Sequence, residues 1–172
     1  MSDAGDIGGT VNSTLGNGSA DGDDGPAIGL ITQYIRDLSA ENPNSPHSFN
    51  WPNPQVEVQV NVSARGVGGE MHEVLLKLTV EAKHEEGVAY MVDLDYAAIF
   101  GIRGLDEDQL HFVLFSEGPR LLFPFARRVL ADAVRDLGFP PLVLEPIDFN
   151  TLYTQQREAA QQLATGEPAG EA

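Results

Sequence analysis

A chain of 172 residues with 42% hydrophobic content can form one domain around a single modest core. Its formal charge of −16, from 26 acidic and 10 basic residues, opposes binding to phosphate backbones or anionic lipid, and no basic stripe offsets it. With no cysteine, no apolar run near the roughly 18 residues of a membrane span and no secretion signal at its start, the sequence excludes disulfides and thiol chemistry and reads as cytoplasmic, without nucleic-acid partner or membrane insertion.

Residues 1–27 hold five Asp and no Lys or Arg among Gly, Ser and Asn. So little apolar surface cannot offset the entropy of ordering, and the segment reads as a disordered acidic tail. Residues 164–172 read the same way, which leaves one folded domain over 28–163. Its first segment, Leu30 to Glu41, carries Leu30, Ile31, Tyr34, Ile35 and Leu38. That pattern fits a short helix or a strand, and the β-branched and aromatic content favours strand. Pro43, Pro46, Pro52 and Pro54 then frame Phe49 and Trp51, predicting an extended crossover loop with two large aromatics.

Val56, Val58, Val60 and Val62 alternate with Gln55, Glu57, Gln59 and Asn61, the period of a half-exposed strand. Arg65 to Gly69 supplies turn residues. Val74, Leu76, Leu78 and Val80 mark a second alternating strand, and Lys83 to Gly87 a second turn. In a third strand Val88, Tyr90, Val92, Leu94 and Tyr96 line one face, with Ala89, Met91, Asp93 and Asp95 on the other. Short connections favour an antiparallel meander.

After Gly104 the period becomes helical. Asp106 or Asp108 can cap a helix carrying Leu110, Val113 and Leu114, and Gly118-Pro119 should break or kink it. Leu122, Phe123, Ala126, Val129, Leu130, Ala133, Val134 and Leu137 sustain an apolar stripe up to Gly138, a C-terminal cap. Pro124 fits only near a helix start or a bend. A last helix from Asp148 to Leu163 puts Phe149, Leu152, Tyr153, Gln156, Ala160 and Leu163 on one face. The fold class is α+β: a four-stranded antiparallel sheet, one long kinked helix and one short C-terminal helix.

Chemistry is sparse. His47, His72, His84 and His111 show no ligand spacing, so no metal is expected. No nucleophile elbow or dinucleotide fingerprint occurs, and Gly66-Val67-Gly68-Gly69 lacks the Lys and helix of a phosphate loop. Asp93 with Asp95, and Asp106-Glu107-Asp108, read as a solvated strand face and a helix cap rather than a carboxylate dyad or calcium loop. Neither enzyme nor cofactor is indicated. Leu121, Leu122, Phe123, Phe125 and Ala126, however, cover much of a helix circumference. One sheet buries one face, so the rest calls for a further copy or a bound chain. An acidic adaptor for one folded partner accounts for charge and apolar surface equally well.

Several blocks resemble the SecB family of export chaperones. Tyr34-Ile35-Arg36-Asp37-Leu38-Ser39, Asn42 to Phe49 and Trp51 are similar to the family's opening, and His72 to Val80 and Ile99-Phe100-Gly101-Ile102 to its strands. Leu122-Phe123-Pro124-Phe125-Ala126-Arg127, Gly138-Phe139-Pro140-Pro141-Leu142 and Pro146-Ile147-Asp148-Phe149 complete the set in family order. The resemblance implies a homotetramer, a dimer of dimers joined through the long helices. It also implies ATP-independent binding of unfolded precursor proteins, which are kept translocation-competent and passed to the SecA motor. By residue match it implies a SecA-docking set of Asp37, Glu41, Met91 and Asp93, and a client groove walled by Phe49, Trp51, Phe149, Leu152 and Tyr153. The alternation agrees that Met91 and Asp93 face away from Val92 and Leu94.

Overall fold

Burial of a single row of side chains organises the sheet. In the computed structural model, which describes residues 25–165, Val74, Leu76 and Leu78 are wholly buried, as are Val92 and Leu94 on the neighbouring strand. Each such side chain contributes about 1.5–3 kcal/mol by leaving water. The strands are β1 (Ala27–Glu41), β2 (Gln55–Gly68), β3 (Met71–His84) and β4 (Gly87–Arg103), all antiparallel in the order β1-β4-β3-β2. The sheet is the expected meander with β1 added beside β4. A crossover joins the two edge strands and contains a 3-10 turn at His47–Asn50 within the run expected to be extended.

The strands are longer than their sequence patterns predict. β1 begins at Ala27, and β2 pairs through Gly66 and Gly68, beyond the expected turn at Arg65. Bulges also change their phase. Ala82 faces Tyr90 but Lys83 faces Val88, so Ala89 is the extra residue and Val88 joins the outward face, contrary to the simple alternation. Two more bulges interrupt β1, at Ile31 and at Arg36.

One helical run covers the buried face: α1 (Glu107–Phe112), a π segment (Val113–Glu117) and α2 (Gly118–Asp136). Asp106 is the cap, in a reciprocal box with Gln109. Gly118-Pro119 does not break the run. Proline has no N–H to offer, and the ladder widens just before it, with the Gly118 N–H donating to the Val113 carbonyl. Gly118 also lets the helix approach β3, since an added Cβ would lie 3.2 Å from Val74 Cγ2. Pro124 lies inside α2 rather than at its start. Leu122, Ala126, Leu130 and Val134 are fully buried on the sheet side, while Leu121 and Phe125 face outward.

α3 (Phe149–Thr165) follows, its first turn capped by Asp148, which accepts from the Asn150 and Thr151 amides. The expected common face holds only in part. Phe149 and Tyr153 are buried, but Gln156, Ala160 and Leu163 are exposed; beyond the second turn Arg157 still reaches Asp108 of α1. The ordered elements thus extend slightly past the expected domain limits of 28 and 163; the rest of both expected tails lies outside the described residues.

Leu130→Ala removes a fully buried side chain between helix and sheet and is expected to lower stability by about 2–5 kcal/mol, read as a fall in the urea midpoint at unchanged slope.

Candidate functional site

Residues directly opposite on antiparallel strands share a face, so the register states what the sheet presents away from the helices. On β1 that face carries Tyr34, Asp37, Ser39 and Glu41; on β4, Met91, Asp93 and Asp95. Glu41 pairs with Met91, Ser39 with Asp93 and Asp37 with Asp95. All four predicted docking residues therefore come together at one corner of the outward face, Asp37 and Glu41 exposed and Met91 and Asp93 half-buried.

The charges around this corner are distributed unevenly. Lys77 pairs with Asp95 at 3.2 Å, Lys83 with Glu57 at 2.7 Å and Arg65 with Glu73 at 2.6 Å. Asp93 accepts a neutral bond, from Thr79 Oγ1 at 2.7 Å. Among the described residues no cation pairs with Asp37, Glu41 or Asp93. Lys77, Lys83 and Arg65 are thus paired with other carboxylates, and Asp37, Glu41 and Asp93 keep their negative charge.

Farther along the same face sits a charged group that the sequence reading passed over. Glu73 is 4% exposed, although of its neighbours along β3 on this face Met71 is exposed and Leu75 half-buried. Its carboxylate accepts from Tyr34 Oη at 2.5 Å and Arg65 Nε at 2.6 Å, with Arg36 Nη1 at 3.7 Å. Those hydrogen bonds, Tyr34 first and then Arg65, hold the Glu73 carboxyl below the usual carboxylate range and push the Tyr34 phenol up.

The residues predicted to wall a client groove occupy two places. Phe49 and Trp51 line a cavity of about 560 Å³ with Val56, Tyr90, Phe139 and Pro140. Phe49 and Tyr90 both pack on Phe139, at 5.3 and 4.8 Å between centroids, and Trp51 stacks on His84 at 5.3 Å. Gly138 ends α2 with φ at 93°, and a Cβ there would stand 2.8 Å from Phe49 Cε1, so only glycine permits this contact. Side-chain hooks hold the loop: Asn44 Nδ2 donates to the Val88 carbonyl, Asn42 Nδ2 to that of Leu137, and Ser48 Oγ to Asn42 Oδ1.

The other three residues lie on α3. Phe149 is 2% exposed, edge-on to Phe123, and so is a core residue in the single chain. Tyr153 lines a second cavity, of about 470 Å³, with Asp108, His111, Phe115 and Arg157; its hydroxyl meets His111 Nδ1 at 3.1 Å and accepts from Arg157. Leu152 is exposed. Sequence reasoning missed Tyr90, Phe139 and His84 as partners of the loop aromatics. The Gly138-Phe139-Pro140 junction was the available signal.

A family model described as "Preprotein translocase subunit SecB" matches residues 21–160. The chain is similar to Protein-export protein SecB of Novosphingobium aromaticivorans, 52% identical over 173 aligned positions and covering all of both chains. It is also similar to the protein of that name from Sphingopyxis alaskensis, 53% identical over 87% of this chain and 89% of the relative. Among solved structures, the Mycobacterium tuberculosis Rv1957 SecB-like chaperone, in complex with a peptide from an antitoxin, superposes with a TM-score of 0.59. At 16% identity over 70% of this chain and 90% of that one, it supports the fold alone.

The Glu73 contacts carry a pH signature. A carboxyl held below its ordinary value of 4.5 stabilises the fold above that value, and the stabilisation is lost as pH falls through the folded-state value. Glu73→Gln is therefore expected to be less stable than the parent at pH 7, with the gap closing on acidification below 4.5, as measured by urea unfolding at each pH.

Proposed function

The chain belongs to the SecB family, and from that membership we propose that it is an ATP-independent export chaperone acting in the cytosol, which holds unfolded precursor proteins and docks on the SecA motor through Asp37, Glu41, Met91 and Asp93. The observation that carries the docking surface is the acidic corner of the outward face, where these four residues meet while, among the described residues, Lys77, Lys83 and Arg65 are paired with other carboxylates. Met91 adds an adaptable apolar contact at its centre.

Client capture belongs to the opposite side of the sheet. Phe49 and Trp51, with Tyr90 and Phe139 behind them, offer partly exposed rings to apolar side chains of many sequences, since hydrophobic contact has no directional requirement. Leu152 and Tyr153 extend the apolar surface on α3, and Phe149 supports it from beneath. Val56 and Val58 are exposed along β2, an edge strand to which an extended chain can add backbone hydrogen bonds of any sequence.

Assembly as a dimer of dimers accounts for the apolar surface that a single copy leaves open. Ile28, Leu30, Ile35 and Leu38 of β1 and Leu121 and Phe125 of α2 are all more than 40% exposed. Six large apolar side chains exposed on two elements are the kind of surface that marks a protein contact.

Binding assays should separate the two faces. Charge reversal at Asp37, Glu41 and Asp93 is expected to weaken SecA binding at least about tenfold and leave capture of an unfolded precursor intact. Trp51→Ala with Tyr153→Ala should do the reverse, and unchanged SecA affinity in the first variant removes the corner from the docking surface. Light scattering is expected to give a mass near four chains, reduced by Phe125→Glu; a monomeric parent would refute the assembly.

A further inference from the structure

Period-two alternation alone does not put Asp37 and Glu41 on the outward face. Tyr34 points outward opposite Ala97, so an uninterrupted strand would carry Arg36, Leu38 and Ala40 outward and turn Asp37, Ser39 and Glu41 toward the helices. The bulge at Arg36 reverses this. Ile35 faces Tyr96 on the helix side, Arg36 has no partner in the register, and Asp37 faces Asp95 on the outer side. The acidic corner thus depends on one extra residue in an edge strand, the part of a sheet least restrained by neighbours.

The bulge residue Arg36 and Tyr34, two positions before it, converge on one group. Tyr34 reaches from β1 over β4, where its cross-strand partner is the small, fully buried Ala97, to the Glu73 carboxylate on β3; Arg36 approaches the same carboxylate at 3.7 Å. Arg65 of β2 grips it from the other edge. A carboxylate this deeply covered is held by charge-assisted bonds whose loss leaves it unpaired, so its position is well determined. We infer that Glu73 is a positioning residue for docking: by anchoring Tyr34 and Arg36 it fixes the β1 bulge and thereby the phase that presents Asp37 and Glu41 beside Met91 and Asp93. The inference rests on the docking surface proposed above.

The test uses the full chain, with Glu73→Gln, which keeps an acceptor for Tyr34 but not the charge facing Arg36, and Tyr34→Phe, which removes one hydroxyl and leaves the carboxylate and its Arg65 contact. Amide hydrogen exchange across 35–41 is expected to accelerate in both variants by more than it does in β3 and the helices. SecA affinity is expected to fall about five- to tenfold, the scale of coupling through one packed network, with client capture unaltered. Leu130→Ala, a destabilised variant with an intact outward face, should keep parental affinity, which separates positioning from general loosening. Unchanged exchange at 35–41, or parental SecA affinity in both variants while charge reversal at Asp37 and Glu41 abolishes it, overturns the inference. Faster exchange together with SecA binding indifferent to the charge reversals would retain the anchoring of the bulge and reject the docking surface.

Discussion

The burial of one face of β3 and β4 under the long helix determines what the rest of the sheet can do. Val74, Leu76, Leu78, Val92 and Leu94 have no exposed surface, so a slip of one residue in either strand would bring charged groups such as Lys77 and Asp93 into the core. With that register locked, the residues between them are committed to the outside, and the acidic corner is the reverse side of the hydrophobic core. Gly118 and the π segment belong to the same constraint, because they let a helix containing two prolines lie against that row.

The parts of this arrangement that follow strict periodicity were legible in the residues. The valines of β2, the apolar rows of β3 and β4 and the stripe of α2 predict their elements, and the family blocks name the corner residues. The parts that depend on a broken period were not. The bulges at Arg36 and Ala89 shift the phase of β1 and β4 without any local composition signal, and Val88 was assigned to the wrong face for that reason. Glu73 reads as an ordinary solvent-facing glutamate, since its burial comes from Tyr34 and Arg65 on two other strands. Pro124 looked incompatible with a helix interior, a local preference that packing of Phe123 and Ala126 on either side overrides.

The two faces also divide the chemistry of binding. The outward corner is charged, and one long-lived geometry suits it because electrostatic recognition depends on position. The helix side offers aromatic rings whose contacts depend on area. In the function proposed above, separating them by the thickness of a sheet lets one partner be selected by charge and another accepted by apolarity without either site compromising the other.

The crossover loop has one further consequence. No strand ladder runs through it between Asn42 and Pro54; its midsection hangs from Asn42, Asn44 and Ser48 and from the stacking of Trp51 on His84. Each such hydrogen bond is worth about 0.5–1.5 kcal/mol net, far less than the pairing that holds a strand. In the client groove proposed above, the aromatic wall is therefore sprung rather than fused: such a wall can widen for a bulky guest and narrow for a slim one over an unmoved scaffold.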